Sequence, residues 1–91
     1  MKYELTGETK VAGTTTLRRI RALIDIPACG VNAGDLGGWI EKEHNLPQDG
    51  KAWVSSNALV YGDAQVSGNA LVSGNAQVSG NAQVYGGNKK V

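Results

Sequence analysis

The stretch Gly62–Gly86 reads GDAQVSGNALVSGNAQVSGNAQVYG. Valine returns in it every six residues, at Val66, Val72, Val78 and Val84, and alanine stands four positions after valine, at Ala70, Ala76 and Ala82. The beat extends upstream without a slip through Val60 and Val54, with Ala64, Ala58 and Ala52 in step. An amphipathic helix needs apolar spacings of three and four, so this period would smear around its surface. The Gly and Asn of every unit are poor helix residues as well. Within a unit such as Ala70-Leu71-Val72 the alanine and the valine are two apart, which puts both side chains on one face of an extended strand. The Gly-Asn or Gly-Asp pair suits a turn, because both residues tolerate positive φ. Each unit is therefore a very short strand plus a corner. A chain that turns the same way at every corner winds into a solenoid.

The remainder of the sequence sets the scale. The chain has 91 residues, enough for one small domain, and a formal net charge of +1. No global field draws it to nucleic acid or a membrane surface. Its start, MKYELTGETK, is polar and unlike a secretion signal, and no apolar run approaches the roughly 20 residues of a membrane span. Cys29 is the sole cysteine, so an internal disulfide is excluded, and a cytoplasmic location is expected. Charge divides the chain: residues 1–51 carry 14 charged side chains, whereas residues 54–85 carry one, Asp63. We expect an N-terminal β cap over residues 1–38 and a repeat segment over residues 39–91, within one compact unit.

In the N-terminal segment, KYELTGE and TTTLRRIRALIDI are β-favourable runs around TKVAG, as for a hairpin. Arg18, Ile20, Ala22, Ile24 and Ile26 would share one face, and Leu17, Arg19, Arg21 and Leu23 the other. A short helix over Leu17–Leu23 is the competing reading. The apolar face is expected to cover one mouth of the solenoid, whose open ends carry unpaired backbone groups. An irregular earlier coil would start at Ile40 and Leu46, lengthened by two residues in LPQDGKAW. Lys89 and Lys90 would guard the far end.

A valine-lined six-residue repeat resembles the left-handed parallel β-helix built from hexapeptide units, in which three units make a triangular coil. YELTGET, RIRAL, GDLGGWIE and AWVSSNALVYGDAQV together look like the N-terminal region and first coils of the YdcK-like proteins, which are bacterial and phage-borne. Those proteins are loosely labelled transferases and often carry more coils, so this chain looks like a short version. The resemblance to hexapeptide β-helices favours a homotrimer, with a dimer through the open C-terminal edge as the alternative.

The search for chemistry finds little. Hexapeptide acyltransferases use a histidine as general base near coenzyme A. The one histidine here, His44, lies before the regular coils among Glu41, Lys42 and Glu43, and reads as a surface-loop residue. One His and one Cys do not make a metal-ligand cluster. GDLGGW lacks the lysine and hydroxyl residue of a phosphate loop, and its glycines fit a sharp turn into the first coil. Arg18, Arg19 and Arg21 form the one basic cluster and read as a strand face balanced by Glu4, Glu8 and Asp25. The asparagines of the corners read as ladders whose side chains bond turn backbone. No cofactor, nucleic acid or membrane is expected. Leu59 and Leu71 stand where neighbouring units have Gln. With Trp53, Tyr61 and Tyr85 they form the expected apolar contact patch, and the three arginines complete the candidate surface. The reading is a non-enzymatic oligomeric interaction protein, and in its sharper form one that a phage uses to inhibit a host defence protein such as an antiviral component. The alternatives are an acyltransferase relative and a structural piece of a virion or surface assembly.

Overall fold

The six-residue beat becomes a three-walled parallel coil in the computed structural model, which describes residues 1–85. The strands are β1 (Tyr3–Ala12), β2 (Thr15–Ala22), β3 (Leu36–Ile40), β4 (Trp53–Val54), β5 (Leu59–Val60), β6 (Gln65–Ser67), β7 (Leu71–Val72), β8 (Gln77–Val78) and β9 (Gln83–Tyr85). Parallel pairing stacks β3, β5 and β8 into one wall, β4 and β7 into a second, and β6 and β9 into the third. Val54 lies over Val72, Val60 over Val78 and Val66 over Val84. The guards expected at Lys89 and Lys90 lie outside the described residues.

Each corner is closed by backbone. The amide N–H groups of Ala58, Ala64, Ala70, Ala76 and Ala82 donate to the carbonyls of Ser55, Tyr61, Ser67, Ser73 and Ser79. Only the first residue of the corner pair takes positive φ, as at Gly68 with φ 66°, while the asparagine does not. Ser56 occupies the glycine place in its corner and is the one non-glycine residue with positive φ among those described. Among the described residues the asparagine side-chain ladder expected at the corners does not form: Asn57 and Asp63 are tied to the next coil through their own backbone N–H groups, which donate to the carbonyls of Gly74 and Gly80.

The interior is sealed at one end, and among the described residues no element covers the other. Val54, Val60, Val66, Ala52, Ala58 and Ala64 are fully buried. Val78 and Val84 are half-buried, and Ala76 and Ala82 are exposed. The irregular first coil forms where the sequence places it. Trp39 pairs with Leu59, twenty residues on, whereas Trp53 pairs with Leu71, eighteen on. The extra length is absorbed around a 3-10 turn, Glu43–Asn45, in place of a strand above β6. There the buried Asn45 amide does the work of a missing rung. Its Nδ2 donates to the carbonyls of Gly62 (3.2 Å) and Ala64 (2.8 Å), and its Oδ1 accepts from the N–H of Glu41 and Lys42.

The hairpin does form, and β2 is a strand rather than a helix. It joins the solenoid edge to edge: β2 pairs antiparallel with β3, giving a five-stranded sheet in the order β1-β2-β3-β5-β8. Ile20, Ala22 and Ile26 reach the core, as their shared face requires, while Ile24 stays exposed because the strand ends at Ala22. Between Arg19 and Arg21 the register with β3 shifts, so Gly37 and Gly38 together face Ile20. This bulge presses β3 onto the coil below.

The mouth itself is plugged by the chain's second and third residues. The Tyr3 ring is buried edge-on to Trp53, with centroids 6.4 Å apart, and its hydroxyl donates to the Leu46 carbonyl. Lys2 is buried, and its ammonium donates to the carbonyls of Ala52 (2.8 Å) and Asp49 (3.4 Å). Burial, aided by Glu43, pushes the Tyr3 phenol well above its ordinary 10.0. A group whose pKa rises on folding gives stability that is complete below its unfolded value and is lost as pH climbs beyond it. Urea midpoints of the wild type are therefore expected to fall from pH 10 upward, and Tyr3→Phe is expected to flatten that fall. Equal alkaline slopes for the two proteins would show that Tyr3 is not the group responsible. Lys2, held below its ordinary 10.5 by burial, acts in the opposite sense and is common to both proteins.

Candidate interaction surface

Two of the expected contact residues are not surface residues. Trp53 is 1% exposed. It occupies an outward position in its unit, but no strand lies above β4, so its ring turns over the mouth onto Tyr3 and Gly37. Leu59 is 7% exposed because the hairpin covers it: Leu17, Trp39 and Leu59 form a second small cluster, with Ala12 and Tyr61 packed against it. Leu17 can reach this outer side because it lies on the face of β2 opposite Ile20. Lys10 and Arg19 lie over the Trp39 ring at 5.5 and 5.3 Å, while the Trp39 indole N–H stays buried without a partner among the described residues.

What remains outside is Leu71 on the second wall, 45% exposed, and Tyr85 at the end of the third, 65% exposed. Tyr61 is half-buried. The structure does not join Leu71 and Tyr85 to Trp53 and Leu59 as one patch.

Arg19 and Arg21 behave as a balanced strand face, whereas Arg18 lies on the opposite face of β2. Arg21 Nε donates to Glu4 at 2.7 Å. Arg19 donates to the Gly37 carbonyl at 3.0 Å and lies 4.0 Å from Glu8. Arg18 is exposed. Asp25 is not their counter-ion, since its carboxylate accepts from the Ala33 N–H at 2.8 Å. Exposed pairs of this kind contribute about 0–1 kcal/mol each.

Sequence reasoning missed the apolar residues on the cap. Met1, Leu23, Ile24 and Leu36 are exposed. The bonds from Leu23 N–H to the Lys2 carbonyl and from Ala22 N–H to the Asp35 carbonyl draw their segments together. The β-favourable character of these residues hid them, because which end of β2 runs past the core depends on where the strand stops.

His44 is exposed on the 3-10 turn. Cys29 Sγ donates to the Lys51 carbonyl at 3.3 Å, and burial raises its thiol pKa, which makes it a poor nucleophile. Among the described residues no group of three or more His, Cys, Asp or Glu side chains is placed to hold a metal ion. No helix among them is long and apolar enough to cross a membrane.

A comparison with curated proteins gave no match. A family model described as the YdcK Beta solenoid repeat matches residues 64–80. That span takes in β6, β7 and β8 with the corners between them. Fold and repeat agree: the chain winds as a β-solenoid, and its residues 64–80 are similar to the YdcK β-solenoid repeat.

Proposed function

We propose that the chain is a non-catalytic, homo-oligomeric interaction scaffold. The observation that carries this reading is the almost uncharged surface of the regular coils. From Trp53 to Tyr85 the one charged residue is Asp63, and Leu71 and Tyr85 stand out from the walls. A rigid surface of this composition costs less to dehydrate than a charged one and offers no cationic patch, which favours contact with protein over contact with a polyanion. The resemblance to bacterial and phage-borne YdcK-like proteins supports a sharper form. In it, a phage-encoded chain acts in the host cytoplasm by binding and blocking a host protein, such as a component of an antiviral defence complex, with no cofactor.

The test is capture from host lysate by the tagged chain beside a folded Leu71→Arg/Tyr85→Arg variant. Recovery of a partner by the wild type, reduced at least about tenfold in the variant, is expected. No partner for the folded wild type, or equal recovery by both proteins, defeats the reading. Acyl transfer from an acyl-coenzyme A thioester, releasing free coenzyme A, that disappears in His44→Ala would replace it with an enzymatic one.

A further inference from the structure

The open strand edges of this fold are finished in different ways. The upper edge of β4 is covered by the Lys2 ammonium, and the upper edge of β6 by the Asn45 amide. The outer edge of β1 carries Glu4, Glu8 and Lys10, and its register with β2 shifts between Leu5 and Thr9. Charges and bulges are the devices that keep a strand edge from pairing with another chain. The lower edge, formed by β7, β8 and β9, has none of them among the described residues.

At that edge the carbonyls of Ala70, Ala76 and Ala82 accept from the N–H groups of Trp53, Leu59 and Gln65 in the coil above. Backbone groups alternate along a strand, so those of Leu71, Gln77 and Gln83 point downward, away from the coil. The half-buried Val78 and Val84 and the exposed Ala76 and Ala82 form an apolar floor inside this rim. No charged residue lies between Asp63 and Tyr85.

We infer that this lower end is an interface between two copies of the chain, joined end to end about a twofold axis at β8. An occupant must offer short extended segments at the same triangular spacing, a small-residue floor, and no charge facing the Gln, Ser and Asn rim. The described residues at the lower end of a second copy offer all three. A twofold axis sets β8 antiparallel to its counterpart, a pairing that backbone geometry accommodates, and such an interface is self-complementary and closed. The outer walls are poorer ground for a side-by-side trimer, because Trp53 and Leu59, which would have supplied its apolar contacts, are buried. The inference deepens the scaffold reading by naming its oligomeric contact, and it is tested on purified chain with no host protein present.

The decisive variant is Gln77→Pro. Proline removes one downward N–H and places its ring where a pairing strand would lie, and it leaves the Leu59-to-Ala76 bond intact. Sedimentation equilibrium should give twice the chain mass for the wild type at micromolar concentration. The folded Gln77→Pro protein should associate at least about tenfold more weakly. If that variant does not fold, Gln77→Lys/Gln83→Lys reads out the same contact through like-charge repulsion. A wild type of single mass, a trimer, or a dimer unaffected by these changes overturns the inference. So does a monomer that dimerises only when the chain is cut after Tyr85, because the last six residues would then be the occupant.

Discussion

Gly38→Ala is expected to lower the melting temperature by more than about 10 °C, or to leave the chain unfolded at 25 °C. A methyl group at this position would lie 2.7 Å from the Ala58 carbonyl oxygen, 2.7 Å from Val54 Cγ1 and 3.2 Å from the Ser55 carbonyl oxygen. Two of these three are backbone atoms of the corner beneath β3, so no side-chain rotation relieves the clash. The same Ala58 carbonyl accepts the Trp39 N–H that registers β3 on β5. Opening the gap therefore breaks the bond that joins the hairpin sheet to the coil. Overpacking typically costs 1–3 kcal/mol, and we expect at least about 3 kcal/mol here, since the backbone must move. For a domain of this size each kcal/mol shifts the midpoint by about 4–8 °C. Gly7→Ala is the control, because a methyl there meets nothing within 4 Å. Thermal melts of both variants by far-ultraviolet circular dichroism decide the matter. A Gly38→Ala midpoint as close to the wild type as that of Gly7→Ala would refute the close approach of β3 to the corner.

Trp53→Ala should cost about 3–5 kcal/mol, the usual range for deleting a fully buried aromatic side chain. The indole fills the mouth of the coil between Tyr3 and Gly37, and no neighbour is placed to replace it. A loss of that size is a large share of the total stability of a small domain. Urea denaturation followed by the remaining tryptophan, Trp39, gives the number. The outcome also separates two views of this residue. A tryptophan that served a contact patch would leave the midpoint unchanged on removal and affect binding alone.

That contrast marks the limit of what the sequence discloses. The coil was readable because its period is incompatible with a helix, and because alternation fixes Val54, Val60 and Val66 on one face. The two-residue lengthening before Val54 was readable for the same reason, as a break in a strict beat. The covering of Trp53 and Leu59 was not readable. Their position in the unit says only that they point away from the axis. Whether solvent waits there depends on where the hairpin lies, and that is decided by the Gly37-Gly38 bulge. The bulge is a long-range steric fact, legible only once Ile20 and Val54 are known to converge on it. Arg19 and Arg21 were readable as a balanced face, but Asp25 was not readable as a loop acceptor, because its partner, Ala33, is a backbone group rather than a charge.

The constant eighteen-residue register has a consequence for length. Every rung below the first meets its neighbour through the same valine-on-valine contact and the same corner bond, so one turn is a separable module. Duplicating an eighteen-residue turn within the regular region would extend the rod by about 4.8 Å, the distance between adjacent strands, and leave the plugged mouth untouched. The fold is in that sense a ruler with one fixed end, whose reach can be set by counting turns.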